Sequence, residues 1–436
     1  MIFQNYASHV RAQRSLYNRV LEQSHLDAAV IYAGRPALQF LDDNAYPFKV
    51  NPLFKAWLPV LDAPDSFVIH RPGHKPMLVY CQPIDFWHAT PDEPDPAWAD
   101  QFDVQIVRHA DDARAVMPEG RSVLFGDAPD AVRNWGFEQV NPAELLNTLH
   151  FARAWKTDYE IDCLTEATAL GVAGHTAARN SFERGESEFD IHLAFLQATG
   201  LSDADLPYTD IVALNEHAAI LHYTLRDHRA PSERRSFLID AGAHAHGYAS
   251  DITRTYSADK GLFADLIKAV DAVQQSLCNA LRPNVDYVAL HEDALVRLSG
   301  ILADASVIKC SAEDAFANGI ATAFFPHGLG HFIGLQVHDV GGFMANEGGT
   351  HVAPPEHSPS LRLTRTLEAS HVVTIEPGLY FIPQLLDPVR ESRHRDLIDW
   401  QAVDHLLPYG GIRIEDNVVV TAGAPRNLTR EAFTTA

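Results

Sequence analysis

The stretch Pro326-His327-Gly328-Leu329-Gly330-His331-Phe332-Ile333-Gly334-Leu335-Gln336-Val337-His338-Asp339 constrains this chain more than any other. It puts three histidines within twelve residues, with Gly328, Gly330 and Gly334 between and just after the first two. His327 and His331 stand four apart, the spacing of a zinc-binding helix. The two glycines inside that pair oppose a regular helix. They allow tight turns and a close approach of backbone to a ligand. The stretch reads as a loop that presents imidazoles to one site. Alone, it is as consistent with surface or capping histidines as with a site.

Acidic residues in strand-like surroundings supply the missing donors. Asp240 ends the apolar run Phe237-Leu238-Ile239, where an unpartnered carboxylate is costly. Asp251 follows eleven residues later, beyond a plausible turn over Ala243-His244-Ala245-His246-Gly247. Alternation places Asp251, Thr253 and Thr255 on one strand face and Arg254 on the other. A hairpin therefore brings the two aspartates together. Close carboxylates repel unless they share a proton or a cation. Glu376 follows Val372-Val373-Thr374-Ile375 and is cut off by Pro377-Gly378. In Gly411-Ile412-Arg413-Ile414-Glu415-Asp416, Arg413 and Glu415 face one side and the isoleucines face the core. Each acid alone could cap a strand or pair with a buried base. Together with one imidazole they form an oxygen-rich set that suits Mn²⁺, Co²⁺, Zn²⁺ or Fe²⁺. Two ions sharing carboxylates would lower the pKa of a bridging water, the chemistry of hydrolysis.

The 436 residues suffice for two domains and a sizeable core. A net charge of −23 opposes nucleic-acid or anionic-membrane partners. Cys81, Cys163, Cys278 and Cys310 are scattered and form no CxxC pair, as expected of reduced thiols in a cytoplasmic protein. No signal peptide or membrane-spanning run is read. Residues 5–23 read as an amphipathic helix. Strand-like runs at 27–33, 66–70, 77–82, 103–109 and 122–125 predict an α/β domain over 1–155. Helices are predicted from Thr157 or Asp158, with Glu160 in the first turn, and from Ser187, with Asp190 three residues on. The second domain, 156–436, is read with strands at 210–214, 220–224, 236–242, 248–256, 371–376 and 411–420. Its helices fall at 262–282 and 288–304, and residues 341–366 read as a long loop.

Five segments resemble the ligand motifs of the pita-bread metallopeptidases, in the order that family uses. They are Leu238-Ile239-Asp240-Ala241-Gly242, Ser250-Asp251-Ile252-Thr253-Arg254-Thr255, Pro326-His327-Gly328-Leu329-Gly330-His331, Thr374-Ile375-Glu376-Pro377-Gly378 and Gly411-Ile412-Arg413-Ile414-Glu415-Asp416. The family includes methionine aminopeptidase, aminopeptidase P, creatinase and prolidase. Phe40-Leu41-Asp42-Asp43, Val212-Ala213-Leu214-Asn215-Glu216, Gln336-Val337-His338-Asp339 and the insert 380–409 are similar to its Xaa-Pro dipeptidase (prolidase) group. That group includes organophosphorus acid anhydrolases.

The resemblance implies an α+β pita-bread catalytic domain behind a smaller α/β domain. It implies cleavage of Xaa-Pro dipeptides by a hydroxide bridging two divalent ions, most often Mn²⁺, with a side activity on organophosphorus triesters. It assigns Asp240 and Asp251 to one ion and His331 and Glu376 to the other, with Asp251 and Glu415 bridging. Glu376 would also take the proton of the hydroxide. His222 and His338 would steady the oxyanion or leaving group. Tyr208, Leu221, Tyr287, His327, Leu361 and Arg413 would line the substrate pockets. Plainer readings stand beside these: a core histidine at 222, a loop-stabilising bond at 327, packing tyrosines at 208 and 287. A homodimer is implied, with Asp42 or Asp43 reaching the partner's site. Aminopeptidase P activity, a dedicated phosphotriesterase, and a metal-free binding module are the rivals.

Overall fold

The computed structural model describes residues 2–87 and 89–435. They form two compact units. One comprises Met1–Ala152, Thr157–Cys163 and Glu347–Gly349; the other comprises Arg153–Lys156, Leu164–Asn346 and Thr350–Ala436.

In the first unit the helix Tyr6–Gln23 buries Tyr6, Val10, Tyr17, Val20 and Leu21. A six-stranded mixed sheet runs in the order Asp103–Val107, Met77–Cys81, Phe67–His70, Ala28–Tyr32, Ser122–Phe125, Gln139–Val140. Every residue of Ala28–Tyr32 is buried, which is why this strand reads as a continuous apolar run rather than an alternation. Residues 38–45 form an exposed loop closed by a Leu38–Ala45 bridge. In it the Asp42 carboxylate accepts from the Asn44 N–H at 3.0 Å. A capping box starts the helix Asp158–Arg184: Thr157 N–H donates to Glu160 at 2.8 Å, and Glu160 N–H to the Thr157 hydroxyl at 3.4 Å.

The second unit holds the predicted ligand acids on or beside short sheets. One sheet joins Ile211–Leu214, Ser236–Asp240 and Thr253–Ser257, with Asp240 opposite Thr253. Another joins Val372–Ile375 to Asp416–Val419 and Arg426–Asn427. Gly378–Tyr380 pairs with Gly411–Arg413. Two helices, Leu262–Ala280 and Tyr287–Asp304, back these strands. The first buries Phe263, Leu266, Val270 and Leu277 along one stripe. Each such side chain contributes about 1.5–3 kcal/mol on burial. Asp286 caps the second helix through the N–H groups of Val288 and Ala289. No helix among the described residues is long and apolar enough to cross a membrane.

Three predicted strands come out differently. Residues 220–224 form a turn after the 3-10 helix Asn215–Ala219, not a strand. The run 248–256 splits into Tyr248–Ala249 and Thr253–Ser257, with Asp251 in the break. The run 411–420 splits at Ile414-Glu415, because Glu415 leaves its own strand to bridge Thr253. In the last two cases the backbone gives up regular pairing where it delivers a carboxylate.

Candidate metal centre and active site

The histidine loop is laid along the strand Val372–Ile375. His331 N–H donates to the Thr374 hydroxyl at 3.1 Å, Thr374 N–H to the His331 carbonyl at 2.9 Å, and Glu376 N–H to the Leu329 carbonyl at 2.8 Å. A Cβ at Gly330 would overlap the Thr374 carbonyl and the Tyr287 hydroxyl. The glycine is required for that close approach. The loop thereby brings His331 to the carboxylate of Glu376, with Nε2 3.9 Å from Oε1.

The predicted ligands converge. Asp251, His331 and Glu415 are all buried and offer donor atoms within 4.8 Å of one another. His331 Nε2 is 3.4 Å from Asp251 Oδ2. Asp240 and Asp251 flank one phenol, with Tyr208 Oη 2.7 Å from Asp240 Oδ1 and 2.6 Å from Asp251 Oδ1. The Thr253 hydroxyl donates to Glu415 at 2.8 Å. His331 Nδ1 lies 2.9 Å from the Phe332 carbonyl. It can only donate there, so the lone pair of the neutral ring sits on Nε2 and faces the acids.

The charge balance shows what this cluster suits. Four carboxylates meet one permanently charged partner, Arg413, whose Nη2 donates to Asp240 at 2.7 Å. Burial, joined by the other acids, raises Glu376 to about 8 and pushes Asp240 and Glu415 upward as well. Asp251 goes the other way. Burial opposes its charge, but the bonds to His331 and Tyr208 hold it below the usual carboxylate range. Such a set is relieved by cations, and oxygen donors with one imidazole suit divalent first-row metals.

The remaining candidates differ in burial. Tyr287 is buried and donates to the Thr374 carbonyl at 2.8 Å, and Leu361 is buried over Gly328. His327 is half-buried. Its Nδ1 donates to the Gly328 carbonyl at 2.9 Å, so Nε2 accepts from the Tyr380 hydroxyl at 2.8 Å. Burial, with Arg413 nearby, pushes the His327 ring down to about 3. His222 and His338 are exposed and Leu221 half-exposed. His222 is therefore not a core histidine. It lies near enough to lower the pKa of both His327 and His338. The His338 ring stands edge-on to that of His331 at 4.4 Å. The surrounding protein and then His331 lower it to about 4.

The sequence reading assigns no site role to Tyr380 or Thr253, yet both touch the cluster. Arg413 Nη1 donates to the Tyr380 hydroxyl at 2.6 Å and Arg413 Nε to the Thr253 hydroxyl at 3.2 Å. A signal for Tyr380 exists. Alternation puts Gly378 and Tyr380 on one face of the short strand after Pro377. Across the ladder Tyr380 is opposite Gly411, where a Cβ would meet its ring.

Comparison with known proteins agrees with this architecture. Residues 4–151 match the Xaa-Pro dipeptidase N-terminal domain. Residues 162–422 match metallopeptidase family M24. An Xaa-Pro dipeptidase of Stenotrophomonas maltophilia is 49% identical over 434 residues, covering 99% of this chain and 98% of its own. One from Shewanella loihica is 46% identical, covering 98% and 97%. Among solved structures, an aminopeptidase P of Escherichia coli shares the fold at 22% identity, with a TM-score of 0.73 over 98% of this chain and 95% of that one. A proline aminopeptidase P II from Yersinia pestis does so at 23%, with a TM-score of 0.70 over 99% and 97%. With its sequence matched along both units and its fold shared with these enzymes, the chain belongs to metallopeptidase family M24.

Proposed function

We propose that the chain hydrolyses dipeptides with proline at the carboxyl-terminal position. The convergence of Asp240, Asp251, His331, Glu376 and Glu415 carries this reading, and relatives named Xaa-Pro dipeptidase, 46–49% identical along nearly the whole chain, support the substrate class. We assign Asp240 and Asp251 to one divalent ion and His331 and Glu376 to a second, with Asp251 and Glu415 shared. Mn²⁺ is the metal proposed, and Co²⁺, Zn²⁺ and Fe²⁺ suit the same donors. When bound, the pair supplies Lewis acidity and hydroxide at neutral pH.

The side chains do the rest. Glu376 takes the proton of the attacking water, its carboxylate lying 3.9 Å from His331 Nε2. His338 is held neutral and donates an N–H to the developing oxyanion, with His222 beside it. Three of the five Arg413 N–H groups are engaged by Tyr380, Thr253 and Asp240. The other two are assigned to the dipeptide carboxylate. Tyr208, Leu221, Tyr287, His327 and Leu361 are assigned to the pocket walls. Proline suits this machinery because its nitrogen carries no hydrogen that a strand-pairing peptidase would need.

The test is proline release from Leu-Pro and Leu-Pro-Gly, metal-free and with Mn²⁺ added. Manganese-dependent cleavage of the dipeptide alone is expected. Cleavage of the tripeptide at a similar rate would move the activity to that of an aminopeptidase. A phosphotriester in the same assay tests the side activity, and no hydrolysis of it would remove that part.

A homodimer in the cytoplasm completes the proposal. Cys81, Cys163, Cys278 and Cys310 form no disulfide among the described residues. The amino-terminal unit exposes Phe40 at 89%, Leu41 at 91%, Phe86 at 87% and Trp87 at 77%. Apolar side chains this bare favour cover by another surface. Asp42 and Asp43 follow Phe40 and Leu41 in the chain. Sedimentation at micromolar concentration should give twice the chain mass of 48.2 kDa; a monomer would remove the dimer.

A further inference from the structure

No step above uses Glu188, although its side chain is 1% exposed. The Ser187–Asp190 capping box starts the helix Glu188–Thr199 there, and so fixes where Glu188 points. Its Oε1 accepts from Leu214 N–H at 2.8 Å and lies 2.8 Å from His217 Nδ1. Its Oε2 accepts from the Tyr223 hydroxyl at 2.7 Å and from Asp227 N–H at 2.7 Å. Glu188, His217 and Asp227 also have the closeness of a metal site. Four donors fill the acceptor positions of a carboxylate, however, and leave none for a cation.

All four donors belong to residues 214–227, the segment that carries Leu221 and His222. Phe189 N–H donates to the Asp227 carbonyl at 3.1 Å. Arg226, in the left-handed region at φ 53°, is tied to the buried Asp210. Tyr223 is held at both ends, its hydroxyl on Glu188 and its ring stacked on His217 at 4.5 Å. His222, one residue before it, is exposed and has no hydrogen-bond partner among the described residues. Its place is set by how its neighbours are anchored.

We propose that Glu188 is a positioning residue for the reaction, clamping segment 214–227 so that His222 faces the bound dipeptide. This rests on the role given to His222 above. Glu188→Gln keeps the volume but turns an NH₂ toward at least one N–H donor. In the metal-loaded enzyme, hydrogen exchange of peptides spanning 215–227 is expected to rise about ten-fold, with Thr253–Ser257 unchanged. For Leu-Pro, kcat should fall about ten-fold with little change in KM. In a His222→Ala background the same substitution should cost less than about two-fold, because it acts through that imidazole. Tyr223→Phe, which removes one of the four bonds, should shift exchange and kcat the same way and covers the case that Glu188→Gln does not fold.

Unchanged exchange in 215–227 overturns the clamp. Raised exchange with losses that multiply with those of His222→Ala overturns the positioning role. Native activity of His222→Ala overturns the role of His222 and this proposal together. Wild-type protein that releases no proline overturns the function, while the exchange measurement still judges the clamp.

Discussion

Asp251→Asn should lower kcat/KM for Leu-Pro at least about 1,000-fold and reduce bound Mn²⁺ below that of the parent enzyme. Asp251 lies between two partners at the cluster. Its Oδ1 lies against the Tyr208 hydroxyl and its Oδ2 against His331 Nε2. Its charge also raises the carboxyls of Asp240, Glu376 and Glu415. An amide keeps the shape, removes the charge, and aims either an oxygen or an NH₂ where two oxygens are required. Glu415→Gln should act in the same direction, since Glu415 belongs to the same close triad. Metal analysis and steady-state kinetics on one preparation decide the matter. A variant that binds metal fully and turns over near the parent rate removes Asp251 from the centre. Circular dichroism of the metal-free variant checks that the fold survives an isosteric change.

The reason these acids were legible in the sequence is local. Each ends or interrupts an apolar strand, where a carboxylate is costly without a partner. The glycines of the histidine loop were legible because they oppose a helix and allow close backbone approach. Segment 220–224 was not. Ile220-Leu221-His222-Tyr223-Thr224 has the composition of a strand, yet Ile220 is 53% exposed and the segment is a turn. What shapes it lies far off in sequence: Glu188, 35 residues before Tyr223. No propensity at 220–224 encodes that distant anchor. The breaks around Asp251 and Glu415 were hidden likewise. Thr253 and Glu415 meet across 162 residues, and only that meeting explains why each strand stops.

The same limit hid the ion pair behind the second largest expected effect. Asp339→Ala should destabilise the protein by about 3–5 kcal/mol, because it leaves two buried cations without their partner. Asp339 follows His338 directly, and its side chain is 1% exposed. Lys156 Nζ donates to its Oδ2 at 2.9 Å, and Arg153 donates to its Oδ1. The side chains of Lys156 and Arg153 are 1% and 8% exposed. Asp339 N–H closes the loop on the Phe332 carbonyl at 2.8 Å. At Gly334 a Cβ would strike both Asp339 and Lys156, so the histidine loop is wrapped tightly on this pair. Burial opposes the charge of Asp339, but Arg153 and Lys156 hold its carboxyl below the usual range. A depressed pKa in the fold gives stability that is present above the unfolded value, about 3.9, and lost as pH falls through the folded one. The gap in thermal midpoint between parent and Asp339→Ala should therefore be widest above about pH 5 and narrow below about pH 4. Lys156→Met leaves Asp339 paired with Arg153 and should cost less than Asp339→Ala. Equal midpoints for Asp339→Ala and the parent at pH 7, or a larger cost for Lys156→Met, would show that this pair does not hold the loop. Activity should fall along with stability in Asp339→Ala, because the backbone that carries His338 loses its anchor one residue away.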